Sequence, residues 1–436
     1  MSGHATTVSV PQGRVRPGPW QGGWRDGLSY GALGLPLAFV ALPLYVVLPS
    51  HYASQFGVPL AWLGTLLLAA RLFDAATDPL IGRWCDAWFA KSSRHVLGMA
   101  AFAALALSLG FVGLFFPPVR DMTPLLAWCG AMLLLSYGCY SVLSIAHQSW
   151  GARLGGDAAQ RADIVAWREG LALAGVLLAS LLPSLAGMGV TSAVLALALV
   201  LGLAGLWHAP EVPKSAPATD AADMRQALTN RSFRQLLWIY LLNGIASAIP
   251  ATLVLFFIRD RLQAPDFEAA LLGAYFAAAA LSMPLWLRAV RRFGLVRSWL
   301  GGMLLAIAAF VWATTLGAGD VVGFAAVCVG SGIALGADLS VPGALLAGVI
   351  RKAGHEDRLE GLYFGWWNMA TKLNLALAAG IALPMLGLFG YTPGSRDPQA
   401  LAALTWVYCA LPCALKLLAA ALLYSRHTRG VEGFCE

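Results

Sequence analysis

The chain of 436 residues is 59% hydrophobic and 12% charged, which excludes a soluble globular protein and indicates a polytopic membrane protein. Its formal charge of +7 comes from Lys and Arg scattered through short connections, with no basic domain or aromatic-interleaved patch, so nucleic acid is not an expected partner. Cys409 and Cys413, among the seven cysteines, lie one helical turn apart with no His or carboxylate beside them, so a metal site is not expected there.

The stretch 1–27 is polar, with Pro, Gly and Arg, and does not read as a cleaved signal peptide. Twelve apolar stretches of membrane-crossing length follow, at 28–50, 60–82, 96–116, 123–147, 164–186, 190–208, 234–258, 267–288, 298–317, 321–350, 361–388 and 401–425. The longest polar break, rich in Pro, Ala and charge, falls between the sixth and the seventh and reads as a linker. The expected division is a tail at 1–27, a bundle at 28–208, a linker at 209–233, a bundle at 234–425 and a tail at 426–436. This predicts an all-α integral membrane fold of twelve transmembrane helices in two six-helix halves.

The second span is the most informative. Arg71, Asp74 and Asp78 stand at i, i+3 and i+7 and share one helix face. Each ionised side chain at mid-membrane costs about 2.5–3.5 kcal/mol. Two carboxylates one turn apart, beside cationic partners, suit a hard cation or a proton. A purely structural ion-pair network with Arg71 and Lys372 is the competing reading, since two acids and two bases sum to zero. The loop after this span carries Arg83, Asp86 and Arg94, and the loop after the eighth carries Arg291, Arg292 and Arg297. With Glu360 they are candidates for a cytoplasmic gate between the halves: Asp86, Arg94, Arg292 and Glu360.

Further along, Arg168 and Glu169 in the fifth span pair with each other or with interfacial charges. Asp338 lies deep in the tenth span, four residues before Pro342, whose ring frees a carbonyl and loosens that turn. It is a candidate solute or proton ligand. In the eleventh, Trp367 and Asn368 precede Lys372 by about one turn, and Asn368 shares the lysine's face.

Four basic residues lie on one side of this topology (Arg120, Arg259, Arg261, Arg396) and four in or near spans (Arg71, Arg168, Lys372, Lys416), leaving 21 of the 29 on the other side. Positive charge marks the cytoplasmic side, so both termini and the linker are expected there, in a bacterial-type inner membrane. No Walker A, Gly-x-Ser-x-Gly, His-Glu-x-x-His or Cys-x-x-Cys motif occurs. Enzyme chemistry and ATP drive are therefore not expected, and transport must draw on an ion gradient. No cofactor is called for.

RLFDAATDPLIG (71–82), LSYGALG (28–34) and RLEGLYFGWWNMATK (358–372) resemble the glycoside–pentoside–hexuronide:cation symporters, the melibiose permease family of the major facilitator superfamily. The resemblance implies a major facilitator fold and alternating access. It also implies cotransport of a sugar or glycoside with Na⁺ or H⁺, by a monomer in contact with membrane lipid. It places the cation on Asp74 and Asp78, with Thr77 and Ser141 as further ligands, and gives Lys372 and Arg71 the charge balance. Tyr140, Ser144, Gln148 and Arg168 fall on solute-binding positions, and Asp338, Trp367 and Asn368 complete the expected pocket. Pro36 and Ser144 stand where melibiose permease has sugar-gripping aspartates, and Gln148 where it has a stacking tryptophan. An amphiphile such as a lysolipid is thus the alternative cargo.

Overall fold

The computed structural model describes residues 20–212 and 224–428. The middle of the expected linker, 213–223, and the ends of both tails lie outside the described residues. The described residues form helices and connections, with no strand among them.

Nine described helices are long and apolar enough to cross a membrane. Two of them, Ala158–His208 and Pro265–Ala313, are twice the usual length. Each is broken by a glycine, Gly187 at φ 76°, ψ 170° and Gly294 at φ 80°, ψ 172°. Only glycine tolerates that region of backbone space. A further helix, Leu60–Lys91, spans 32 residues and holds the intramembrane charges. Helices thereby stand at all twelve predicted positions: α1 Trp24–Phe56, α2 Leu60–Lys91, α3 Ser93–Phe115, α4 Met122–Arg153, α5 158–186, α6 188–208, α7 Arg231–Arg261, α8 268–293, α9 295–313, α10 Val321–Lys352, α11 Glu360–Leu388 and α12 Pro398–Thr428. α1, α7 and α12 each contain a π-type turn, at Pro43–Val47, Phe257–Arg261 and Trp406–Ala410.

Two expected loops are not loops. α2 continues to Lys91, so Arg83 and Asp86 are helical, and α8 continues through Arg288, Arg291 and Arg292. The sequence 83–91 contains no Gly or Pro, and polar residues beyond the bilayer extend a helix without cost. Only Ser92 interrupts the chain between α2 and α3, and its side chain caps α3 by accepting from the His95 N–H at 3.0 Å.

Leu185, Leu281, Val322 and Leu388 are 78–86% exposed, as a lipid-facing belt requires. The halves meet along two seams. α2 packs on α11, and α5 packs on α8 and α10. The first seam needs glycine. A Cβ on Gly82 would lie 2.1 Å from the Gly361 carbonyl, and one on Gly365 would lie 2.5 Å from the Asp78 carbonyl. Glycine lets the two backbones touch there, and that fixes the candidate site.

Candidate transport site

Asp74 and Asp78 project from α2 toward Lys372 on α11. The ammonium lies 2.7 Å from Asp74 Oδ2 and 2.8 Å from Asp78 Oδ1. Ser141, on α4, donates to Asp74 Oδ1 at 2.8 Å and accepts from Lys372 Nζ at 2.7 Å. Both carboxylates are buried, at 3% and 0% side-chain exposure. Asp78 Oδ2 is buried and accepts no hydrogen bond among the described residues. With both acids ionised, one ammonium leaves the cluster one negative charge in excess.

Arg71 differs from its expected place. Its guanidinium lies over the Tyr45 ring, 3.5 Å from the centroid, and among the described residues no ion pair joins it to either aspartate. A guanidinium gains on an aromatic face, while Lys372 takes up the carboxylates. Thr77 Oγ1 donates to the Asp74 carbonyl of its own helix at 2.9 Å.

Next to this cluster, Gln148 on α4 donates to Ser144 Oγ at 2.9 Å and to Asn368 Oδ1 on α11 at 3.2 Å. Asn368 Nδ2 is buried without an acceptor among the described residues. Trp367 stacks on Tyr240 of α7, centroids 3.8 Å apart and planes at 23°. The Tyr240 hydroxyl meets Thr371 Oγ1 at 2.8 Å. Tyr140 is half-buried, one turn before Ser144 on α4. Arg168 and Glu169 pair with each other at 2.7 Å, resolving the open alternative for that pair.

Asp338 stands apart from these residues, in the second half. Its Oδ1 accepts from Asn243 Nδ2 at 3.0 Å and Trp299 Nε1 at 2.9 Å. Its Oδ2 accepts from Lys416 Nζ at 2.8 Å and Ser247 Oγ at 3.3 Å. A carboxylate with four donors has its acceptor capacity filled, which leaves no free lone pair for a solute in this conformer.

At the basic end, Arg153 is the last residue of α4 and lies between Asp86 (2.8 Å) and Glu360 (3.0 Å), with all three side chains at most 4% exposed. The Asp86 carboxylate also accepts from the Gly361 and Leu362 N–H groups, at 2.7 and 2.8 Å. It therefore caps α11 where the helix dipole favours an anion. Of the four residues expected at a gate, the structure brings two to Arg153. Asp86 and Glu360 meet, whereas Arg94 and Arg292 are exposed, and Arg292 lies over Phe293 instead. The cation that pairs with both buried carboxylates is Arg153. Nearby, Arg351 donates to the Gly156 carbonyl at 2.7 Å, joining α10 to the 154–157 connection. In the 353–359 connection, burial and the Arg358 charge hold the His355 imidazole below its usual value.

Sequence reasoning missed Arg153, Lys416 and Tyr240. Lys416 carried a usable signal, a lone base inside an apolar span of the same half as the lone acid Asp338. Arg153 had none, since a basic residue ending a helix is ordinary.

A bundle of apolar helices with a charged, glycine-lined seam at its centre defines a membrane transporter rather than an enzyme. Residues 29–426 match the family described as MFS/sugar transport protein, and the chain belongs to that family. It is similar to the glucuronide carrier protein homolog of Escherichia coli K12, at 26% identity over 92% of each chain. It is similar also to the inner membrane symporter YicJ of the same organism, at 24% identity over 59% of this chain and 60% of that one. The resemblance to glycoside–pentoside–hexuronide:cation symporters holds. Among solved structures, a bacterial homologue of the iron transporter ferroportin in its outward-facing state superposes with TM-score 0.70 at 18% identity, over 93% of this chain and 99% of that one. The major facilitator FucP, in the outward conformation, gives 0.66 at 12%, over 91% and 98%. At these identities the two structures establish the fold alone.

Proposed function

We propose that the protein is a cation-coupled secondary transporter that moves a sugar-like small solute across the inner membrane by alternating access. One observation carries this reading: a buried acidic cluster with one excess negative charge and an unpaired acceptor, Asp78 Oδ2, at the contact between the halves. The similarity to proteins named as a symporter and a glucuronide carrier supports a coupling cation and a sugar-like cargo.

A charge left uncompensated in a low-dielectric site is costly to enclose. One monovalent cation at Asp78 Oδ2 neutralises the cluster and permits occlusion. Without it, Lys372 is the sole ion-paired counterion among the described residues, and the cluster is enclosed only at that cost. A proton needs Asp78 alone; Na⁺ draws further oxygens from Asp74, Ser141 and Thr77. The solute sits between Gln148, Ser144 and Tyr140 on one half and Asn368 and Trp367 on the other, with the Trp367–Tyr240 stack as one wall and Arg168–Glu169 nearby. Polar partners from both halves let a bound solute bias their relative position. The Asp86–Arg153–Glu360 network is the gate on the cytoplasmic side, closed in this conformer. The charge bias of the connections supports both termini and the linker on that side, with bundles at 28–208 and 234–425.

One charge crossing 100 mV supplies about 2.3 kcal/mol, about fifty-fold accumulation at about 1.4 kcal/mol per decade. Proteoliposomes with an imposed Na⁺ or H⁺ gradient and a panel of sugars and glycosides test the proposal. One gradient should drive accumulation, and Asp78→Asn should abolish that accumulation while the folded protein persists. Full accumulation by Asp78→Asn rejects the site.

A further inference from the structure

A cavity of about 360 Å³ lies inside the second half, bounded by α7, α8, α9, α10 and α12, with Leu42 of α1 as its contact with the first half. It lies within the size range of sites for small organic ligands. One end is formed by Asp338 and Lys416, and the walls include Tyr275, Phe276, Phe310 and Tyr408. Ala251 and Leu255, also in its wall, are exposed and mark its mouth.

The polar end is closed to a ligand by its own chemistry. Lys416 spends its three donors on Asp338 Oδ2, Asn243 Oδ1 (2.7 Å) and Ser247 Oγ (3.0 Å), and Asp338 has four donors of its own. The pair is neutral, so it attracts neither anion nor cation. What is left to an occupant is aromatic and aliphatic wall, where removal of apolar surface from water is the available driving force. A hydroxylated group meets few polar groups inside and stays at the mouth.

We propose that this cavity is a second binding site, separate from the Asp74–Asp78–Lys372 cluster, for the alkyl or aryl portion of a neutral amphiphilic small molecule whose polar head stays at the Ala251–Leu255 opening. The claim is one of binding and does not depend on the cation site, so it is tested without a gradient.

The full chain in lipid nanodiscs is titrated calorimetrically with hexyl and phenyl β-glucosides, glucose and hexanol, and partition into empty nanodiscs is subtracted. Both glucosides should bind saturably and at least tenfold tighter than glucose. Ala251→Phe, which fills the mouth, should remove that advantage. Phe310→Ala, which enlarges the cavity, should shift the preferred alkyl chain to a longer one, so the test does not rest on a single variant. Equal binding of glucose and the glucosides overturns the proposal, as does an advantage that survives Ala251→Phe with no shift in Phe310→Ala. Saturable binding only after delipidation, with phospholipid retained before it, assigns the cavity to a bilayer acyl chain and overturns the small-molecule assignment.

Discussion

Asp78 and Lys372 lie 2.8 Å apart on helices of opposite halves, and the distance is set two turns away by glycine. Gly365 precedes Lys372 by seven residues, on the same face of α11, and its missing side chain lets the helix rest on the Asp78 carbonyl. One turn further, Gly361 rests on Gly82 and gives its N–H to Asp86. Ion cluster and gate are thus two ends of one glycine seam, and what separates the helices at one end is felt at the other.

Lys372 occupies the place that a coupling ion needs. Two unit charges about 4 Å apart repel by about 4 kcal/mol at an effective dielectric of about 20. Lys372→Met should therefore raise cation affinity at least tenfold in equilibrium titrations. Uptake should fall in the same variant, because a tightly held ion leaves slowly. Unchanged affinity would show that the ammonium and the ion do not compete.

Gly365→Ala should act without touching a charge. Its methyl would lie 2.5 Å from the Asp78 carbonyl, so α11 must move off α2 and carry Lys372 with it. Loss of gradient-driven uptake together with greater access at the basic end is expected. Normal uptake by this variant would mean that the seam tolerates separation.

The fold was legible because span length and the polar breaks between spans are local properties. The break between α5 and α6 falls at Gly187, between the predicted ends at 186 and 190. Within the site, Asp74, Asp78 and Lys372 were legible because buried charge in an apolar span has few bland explanations. Their partners were less so. Arg71 shares the acids' helix face, yet Tyr45, nearly thirty residues earlier, draws it away. Arg153, and neither Arg94 nor Arg292, pairs with Asp86 and Glu360 because buried carboxylates are met by the cation that reaches the interior, and sequence distance does not report that.

Arg153 holds two buried carboxylates at once. Removing one partner of a buried ion pair costs about 3–5 kcal/mol, so Arg153→Met should open the basic end. Cys85 is fully buried beside Asp86 and is a ready reporter. Its alkylation by a membrane-impermeant maleimide added from that side should quicken by two orders of magnitude or more, at about 1.4 kcal/mol per decade. A rate equal to wild type would remove this network from gating.

Asp338 and Lys416 offer a test of charge against shape. Asp338→Asn alone leaves an ammonium at 5% residue exposure facing two amides and a hydroxyl, and the expected loss of stability is again about 3–5 kcal/mol. Asp338→Asn with Lys416→Met removes both charges and keeps the volume nearly constant. Because the partners touch, their effects should be strongly non-additive, and the double variant should recover at least half of the loss in thermal or denaturant unfolding. Apolar Met then extends the cavity wall, so binding of hexyl glucoside should persist or strengthen. A double variant as unstable as the sum of its parts would mean that each residue is held by separate neighbours, and that the 2.8 Å contact contributes little.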